Sequence, residues 1–373
     1  MAFDFIDDVL SQRNAQHLLR QRVVVENVTG RAITVAGKAY LNFASNDYLA
    51  LGDKPLAGHN ERSGSHSSPL VTGYHASHRE LEKRFCELLG YEAAMLFASG
   101  FSANVSVLKA LFNDAPEGFI VQDKLNHASL IDGGLQSNAQ MQRFNHNNIA
   151  HVQARLSKSK SCNKLVVSEG VFSMDGDCAP MQELRATCDQ HHAWFMLDDA
   201  HGFGVLNEGL GSARDVKPDI LVLTFGKAMA CNGAIVLAKN NVIDLLLQAN
   251  RDYIYSTAVS PLQCDVVSQR LTQLLNAHQE REHLAQLICY LRKQCEHVGL
   301  ALMASETPIQ PLVVGDSESA LEMQQALRKK GIWLSAIRPP TVAQNTARLR
   351  ITLSAAHTFE DVDTLVSALE QCR

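Results

Sequence analysis

Residues 221–237 read LVLTFGKAMACNGAIVL, two apolar runs with a single lysine, Lys227, between them. Each run has the length and unbroken apolarity of a strand buried on both faces. Lysine is strongly hydrated and seldom buried without a partner, so a cation at the junction of two interior strands asks for a chemical reason. Four further runs of the same kind precede it: AMLFA (94–98), GFIV (118–121), KLVVS (164–168) and WFML (194–197). Helical patterns lie between them. In one, Ser77 and Glu80 have the spacing of a capping box, Leu81, Phe85, Leu88 and Leu89 form a stripe, and Gly90 closes it. Strands alternating with helices predict an α/β fold, its large domain built on a mostly parallel central sheet.

After about residue 270 the texture changes. Polar helical stretches lead to IQPLVVG (309–315), GIWLSAI (331–337) and ARLRITL (347–353), and Thr358, Val362, Leu365, Val366 and Leu369 signal a last helix. The expected division is an N-terminal segment (1–40), a large domain (41–270) and a smaller C-terminal α/β domain (271–373).

Composition narrows the function classes. The chain has 373 residues, 46% hydrophobic and 20% charged, with a formal charge of −5. No basic run is present, which argues against nucleic acid as a partner. No apolar stretch approaches the roughly 20 residues that span a bilayer, and MAFDFIDDVL carries acids where a secretory signal carries positive charge. A cytoplasmic protein without membrane contact is expected. Nine cysteines, an odd number with no CxxC pair, read as reduced thiols. Fifteen histidines without HExxH, two of them the adjacent His191 and His192, give no metal site.

Ligands of open α/β sheets sit beyond the carboxyl ends of the strands. After AMLFA comes Ser99-Gly100-Phe101-Ser102 at a helix start, suited to a phosphate. After GFIV come Asp123 and His127; after KLVVS come Glu169 and Ser173; after WFML come Asp198, Asp199 and His201; after DILVLT (219–224) comes Lys227. Each is weak alone, because a helix start is usually only that and a lone histidine is usually structural. Together they offer a phosphate cradle, an aromatic base, a hydroxyl, a carboxylate with an imidazole, and an amine. Pyridoxal 5′-phosphate needs that set. Lys227 as a Schiff base removes the difficulty of a buried ammonium, and Asp198 keeps the pyridine nitrogen protonated.

NFASNDYLAL (42–51), DKLNHASL (123–130), EGVFSMDGD (169–177), LDDAHGFGV (197–205), TFGKA (224–228) and IYST (254–257) together resemble the α-oxoamine synthases, a family of fold-type I pyridoxal phosphate transferases. The resemblance runs over nearly the whole chain. It implies that Lys227 carries the cofactor, Asp198 holds the ring nitrogen, His127 stacks on the ring, and His201 and Ser173 lie near the ring hydroxyl. Thr224 and the backbone at Gly100 and Phe101 hold the phosphate. Ser256 and Thr257 match residues that reach a neighbouring subunit's site in a homodimer, and Asn46 and Arg350 match substrate-side residues. AIRPPTV (336–342) and TARLRITLSAAHT (346–358) are most similar to members that condense L-alanine with a pimeloyl thioester, carried by coenzyme A or a carrier protein. Two stretches depart from the family pattern: Gly64–Leu70 and Ala228–Asn232 have other residues where glycines are common.

Arg350 has a reading of its own. ARLRITL alternates, so Arg348, Arg350 and Thr352 share a strand face; a half-exposed strand with solvated charges is as good an account as a carboxylate-binding fork. The resemblance favours Arg350. The rivals are glycine C-acetyltransferase (2-amino-3-ketobutyrate CoA ligase), with the same chemistry on smaller partners, and 5-aminolevulinate synthase, whose usual run differs from DDAHG. An aminotransferase or desulfurase and a non-catalytic partner subunit are the more distant ones. A dinucleotide dehydrogenase lacks its GxGxxG.

Overall fold

The apolar runs become strands because β-branched and large aliphatic residues fill both faces of each. A computed structural model describes residues 2–58, 61–115 and 117–372. The chain divides into two compact units, one of residues 54–173 and 178–281, the other of residues 1–53, 174–177 and 282–373.

The first unit carries a seven-stranded sheet: β1 (Ala93–Phe97), β2 (Phe119–Asp123), β3 (Gln140–Phe144), β4 (Lys164–Glu169), β5 (Trp194–Asp198), β6 (Ile220–Thr224) and β7 (Ala234–Ala238). Their order is β1-β7-β6-β5-β4-β2-β3. Strands β3, β2, β4, β5 and β6 run parallel, while β7 is antiparallel to both β6 and β1. The mostly parallel sheet is as expected. Strand β3, QMQRF, lies at an edge and is only partly apolar, so it lacked the unbroken run that marked the others.

Met95, Ile120, Leu165, Met196, Val222 and Val236 from one sheet face pack with Ala103, Val107 and Leu108 of the helix Gly100–Leu111. Each of these side chains larger than alanine contributes about 1.5–3 kcal/mol by leaving water. That helix lies against the helix Ala128–Gln136, and Gly133 permits the approach: a Cβ there would sit 3.0 Å from the Asn104 carbonyl oxygen and from Val105 Cα. The helix Ala76–Leu89 begins one residue before Ser77. His75 is its N-cap and donates its N–H to His78 Nδ1 at 3.0 Å, so the expected Ser77–Glu80 box does not form; Gly90 ends it in the left-handed conformation as expected.

In the second unit, strands Asn27–Thr29, Ala32–Val35, Lys38–Asn42 and Ile332–Trp333 form one sheet. Parallel pairing of Leu41 with Ile332 and Asn42 with Trp333 joins the N-terminal residues to the C-terminal ones. Residues 41–53, expected in the large domain, therefore cluster with the C-terminal hundred. GIWLSAI splits between two sheets, since Ser335–Ile337 pairs instead with Ala347–Thr352, whose other neighbour is Ile309–Gly315. No helix among the described residues is long and apolar enough to cross a membrane.

The glycine at the helix crossing gives a direct test. Gly133→Val should cost about 1–3 kcal/mol through overpacking, read as a lower urea midpoint with an unchanged slope.

Candidate active site

The strand ends of the sheet unit gather most of the expected residues. Beyond β1, Ser99 caps the helix Gly100–Leu111, its Oγ accepting from the Ser102 N–H at 3.1 Å. A Cβ on Gly100 would fall 2.3 Å from Thr224 Cγ2, so glycine lets the end of β6 sit against the helix N-terminus. Thr224 Oγ1 is buried there with no hydrogen-bond partner. A buried hydroxyl in that state is costly; beside a helix N-terminus it fits a bound phosphate. Phe101 is half-exposed and meets the His127 ring edge-on, centroids 6.2 Å apart.

Asp198 ends β5 and is buried. Its Oδ2 accepts from Asn104 Nδ2 at 2.6 Å and its Oδ1 from the Ala200 N–H at 3.0 Å. Burial pushes this carboxyl upward, against the Asn104 amide, the neighbouring His127, the Ala200 N–H and Lys227, which all favour the ionised form. A buried carboxylate so placed fits a ring nitrogen that must stay protonated.

His127 caps the helix Ala128–Gln136. Its Nδ1 lies 2.8 Å from Ser129 Oγ and accepts from the Ser129 N–H at 3.3 Å, while its own backbone N–H donates to Glu169 at the end of β4. Ser129 Oγ also accepts from Asn104 Nδ2 at 3.0 Å. Glu169 is held well above the usual carboxylate range by burial and by Asp198, opposed by the N–H groups of His127 and Ser173. His201 is buried in the turn after Asp198, Ser173 is half-buried, and Lys227 is half-buried in the loop from β6 to β7. In that loop the Ala230 N–H donates to the Lys227 carbonyl at 2.9 Å, and Ala230 adopts a left-handed φ of 49°; His66, in the other stretch that departs from the family, has φ 69°.

Asp199 meets different surroundings. Its Oδ2 accepts from the Ser212 N–H at 2.7 Å. A Cβ on Gly170, Gly202 or Gly211 would lie 2.1–2.2 Å from its carboxylate. Burial pushes this carboxyl up to about 7. Ser256 and Thr257 are exposed in the single chain and line a cavity of about 160 Å³ with His78, Leu96, Ser102 and Tyr253.

Arg350 and Asn46 belong to the other unit and meet there. Arg350 Nη1 and Nη2 lie 3.3 and 3.4 Å from Asn46 Oδ1, and Nη1 donates to Thr352 Oγ1 at 3.1 Å. Buried Tyr48 adjoins it, its phenol pushed up to about 12 by burial despite the arginine. Arg348, on the same strand, pairs with Asp175. Both arginines are buried, so the half-exposed alternative falls.

Asn104, Ser129 and Glu169 were not among the expected site residues. Their signals were faint: an asparagine inside an otherwise apolar helix, a serine two residues past His127, and an acid ending a buried strand.

A family model, aminotransferase class I and II, matches residues 38–369 and sets the class. An 8-amino-7-oxononanoate synthase of Vibrio vulnificus (strain CMCP6) is 46% identical over 376 residues, covering 98% of this chain and 96% of its own. A serine palmitoyltransferase from S. paucimobilis, solved with a bound PLP–myriocin aldimine, superposes with a TM-score of 0.90 at 26% identity, covering 99% of this chain and 97% of the other. The 8-amino-7-oxononanoate synthase of Francisella tularensis gives a TM-score of 0.75 at 27% identity, covering 89% and 97%. The chain belongs to the aminotransferase class I and II family and, within it, to the 8-amino-7-oxononanoate synthases.

The two adjacent aspartates separate in their predicted effects. Asp198→Asn should lower kcat at least about a hundredfold, the scale of a lost charge interaction in a transition state, with the fold intact by circular dichroism. Asp199→Asn should act on stability. A carboxyl that ionises near 7 when folded and near about 4 when unfolded makes the native state lose stability as pH rises through that window. Urea midpoints should therefore show the wild type falling relative to Asp199→Asn between about pH 4 and 7.

Proposed function

We propose that this chain condenses L-alanine with a pimeloyl thioester, on coenzyme A or a carrier protein, to give 8-amino-7-oxononanoate, carbon dioxide and free thiol, a step of biotin synthesis. The chain is an acyl-transferring enzyme of its family, and pyridoxal 5′-phosphate is its cofactor. The observation that carries the substrate assignment is the 46% identity, over nearly the whole of both chains, with a relative named for that product.

Thr224 Oγ1 and the N–H groups at Gly100 and Phe101 would hold the phosphate, His127 the ring face, Asp198 the ring nitrogen, His201 and Ser173 the ring hydroxyl, and Lys227 the aldehyde carbon. When bound, the cofactor supplies an electron sink for charge on the amino acid's α-carbon. Lys227 takes the α-proton as general base and returns a proton after carbon dioxide leaves. Asp198 keeps a proton on the ring nitrogen; its two short contacts leave it little freedom to turn away. Arg350, with Asn46, holds the carboxylate of alanine. Support for Arg350 over Arg348 comes from the match to the family pattern and from the Asp175 carboxylate, which already pairs with Arg348.

A homodimer with Ser256 and Thr257 serving the neighbouring site is part of this reading. Leu70, Val71, Tyr74 and Tyr255 are exposed apolar side chains in the segments near them, in keeping with cover by a second copy. The reading also takes the enzyme as cytoplasmic, with no nucleic-acid partner.

Thiol release should be measured with glycine, alanine and serine, each offered with acetyl and pimeloyl thioesters. Alanine with the pimeloyl donor should give the highest kcat/KM; a preference for glycine with the acetyl donor would replace this assignment by the glycine C-acetyltransferase reaction.

The arginines provide a separate test. Arg350→Ala should raise the KM for alanine by one to two powers of ten, from loss of about 1.5–3 kcal/mol, and Arg350→Lys should recover little because an ammonium lacks the planar fork. Arg348→Ala should leave that KM nearly unchanged yet lower the urea midpoint, since it breaks the largely buried pair with Asp175.

A further inference from the structure

The contacts behind His127 and Asp198 fix hydrogen positions as well as side-chain positions. Asp198 accepts on both oxygens, from the Ala200 N–H and from Asn104, and an ionised carboxylate can only accept. The Asn104 group facing it is therefore the NH₂. The second hydrogen of that NH₂ serves Ser129 Oγ at 3.0 Å. Asn104 Oδ1 is left buried with no partner, an arrangement that disfavours this orientation unless both NH₂ contacts hold it. Ser129 Oγ, accepting from Asn104, has one hydrogen of its own, and His127 Nδ1 is 2.8 Å away. Nδ1 also receives the Ser129 backbone N–H at 3.3 Å. A backbone N–H can only donate, and this longer contact acts together with the shorter one from the Ser129 hydroxyl to leave Nδ1 unprotonated, so the neutral ring carries its proton on Nε2.

We infer that Asn104 and Ser129 are positioning residues for the reaction: through them the charge of Asp198 fixes the tautomer of His127 and keeps Nε2–H as its donor. The path runs from carboxylate to amide to hydroxyl to imidazole. It transmits orientation and not a proton, because the amide has none to give up. Glu169 plays no part in it, since Glu169 reaches His127 only at the backbone N–H. The tautomer follows from these contacts alone; only its kinetic consequence rests on the proposed reaction.

The test uses holoenzyme labelled with ¹⁵N-histidine, the His127 signals being assigned by their loss in His127→Gln. In the wild type the proton should be on Nε2, with Nδ1 shifted as an acceptor. In Ser129→Ala, and in the nearly isosteric Asn104→Asp, the two nitrogen shifts should move toward each other. In both variants kcat should fall about tenfold, the scale of one lost hydrogen bond, with the KM for alanine within about twofold. Ser129→Ala removes only a hydroxyl and carries the test if Asn104→Asp fails to fold. A wild-type proton on Nδ1, or His127 shifts unchanged in the variants, overturns the inference. Wild-type enzyme that shows the Nε2 tautomer but releases no thiol from the pimeloyl donor would remove the substrate assignment and leave the inference standing.

Discussion

A carboxylate buried at the end of a central strand is the constraint on which the large unit's site depends. Asp198 cannot be ionised there without donors, because desolvation of an isolated charge costs more than the fold can spare. The donors come from two directions: Ala200 from the turn that follows, and Asn104 from the first turns of the helix beyond β1. To bring Asn104 within 2.6 Å, that helix must sit close to the strand ends. Gly100 against Thr224 and Gly133 against the Asn104 backbone make the approach possible. The same approach leaves Thr224 Oγ1 buried beside the helix N-terminus, so the buried hydroxyl and the amide-bound carboxylate are two results of one packing arrangement.

Adjacent residues of a strand point to opposite sides, and at Asp198-Asp199 the chain uses both. One carboxylate faces a helix that supplies an amide. The other enters a space walled by Gly170, Gly202 and Gly211, where the described geometry gives it the Ser212 N–H. Three glycines from two loops converge on one side chain. Asp199 therefore acts as a post around which the turn bearing His201 is laid, and burial in that space is what pushes its carboxyl up to about 7.

The sequence made the sheet legible where strands are buried on both faces, since an unbroken apolar run of strand length, bounded by turn residues, suits little else in an α/β chain. It was silent on β3, whose mixed face suits an edge, and on the antiparallel sense of β7, because apolarity carries no direction. Lys227, Asp198, His127 and Thr224 could be singled out because each is a polar residue at or just beyond a strand end. Asn104 and Ser129 stood out less, because both lie inside helices and meet their partners across elements, while Glu169 showed only as an acid ending a strand. The capping box at Ser77–Glu80 misled for a related reason: the helix cap lies two residues earlier, where the His75 N–H donates to His78, and the pattern of letters does not rank the two.

The two arginines of ARLRIT show how far spacing alone can go. Alternation put Arg348 and Arg350 on one face and left open whether that face was wet. Both are buried, and the strand pairs on both edges, with Ile309–Gly315 and Ser335–Ile337, so the distinction between them comes from what each guanidinium meets. Arg348 meets a carboxylate from Met174–Asp177, a four-residue segment that leaves the sheet unit's chain to join this one. Arg350 meets an amide oxygen, a hydroxyl and a phenol. Those contacts hold the planar guanidinium in a fixed orientation. Two arginines two residues apart on one strand thus take different neighbours, that of Arg348 being a carboxylate more than 170 residues away in sequence.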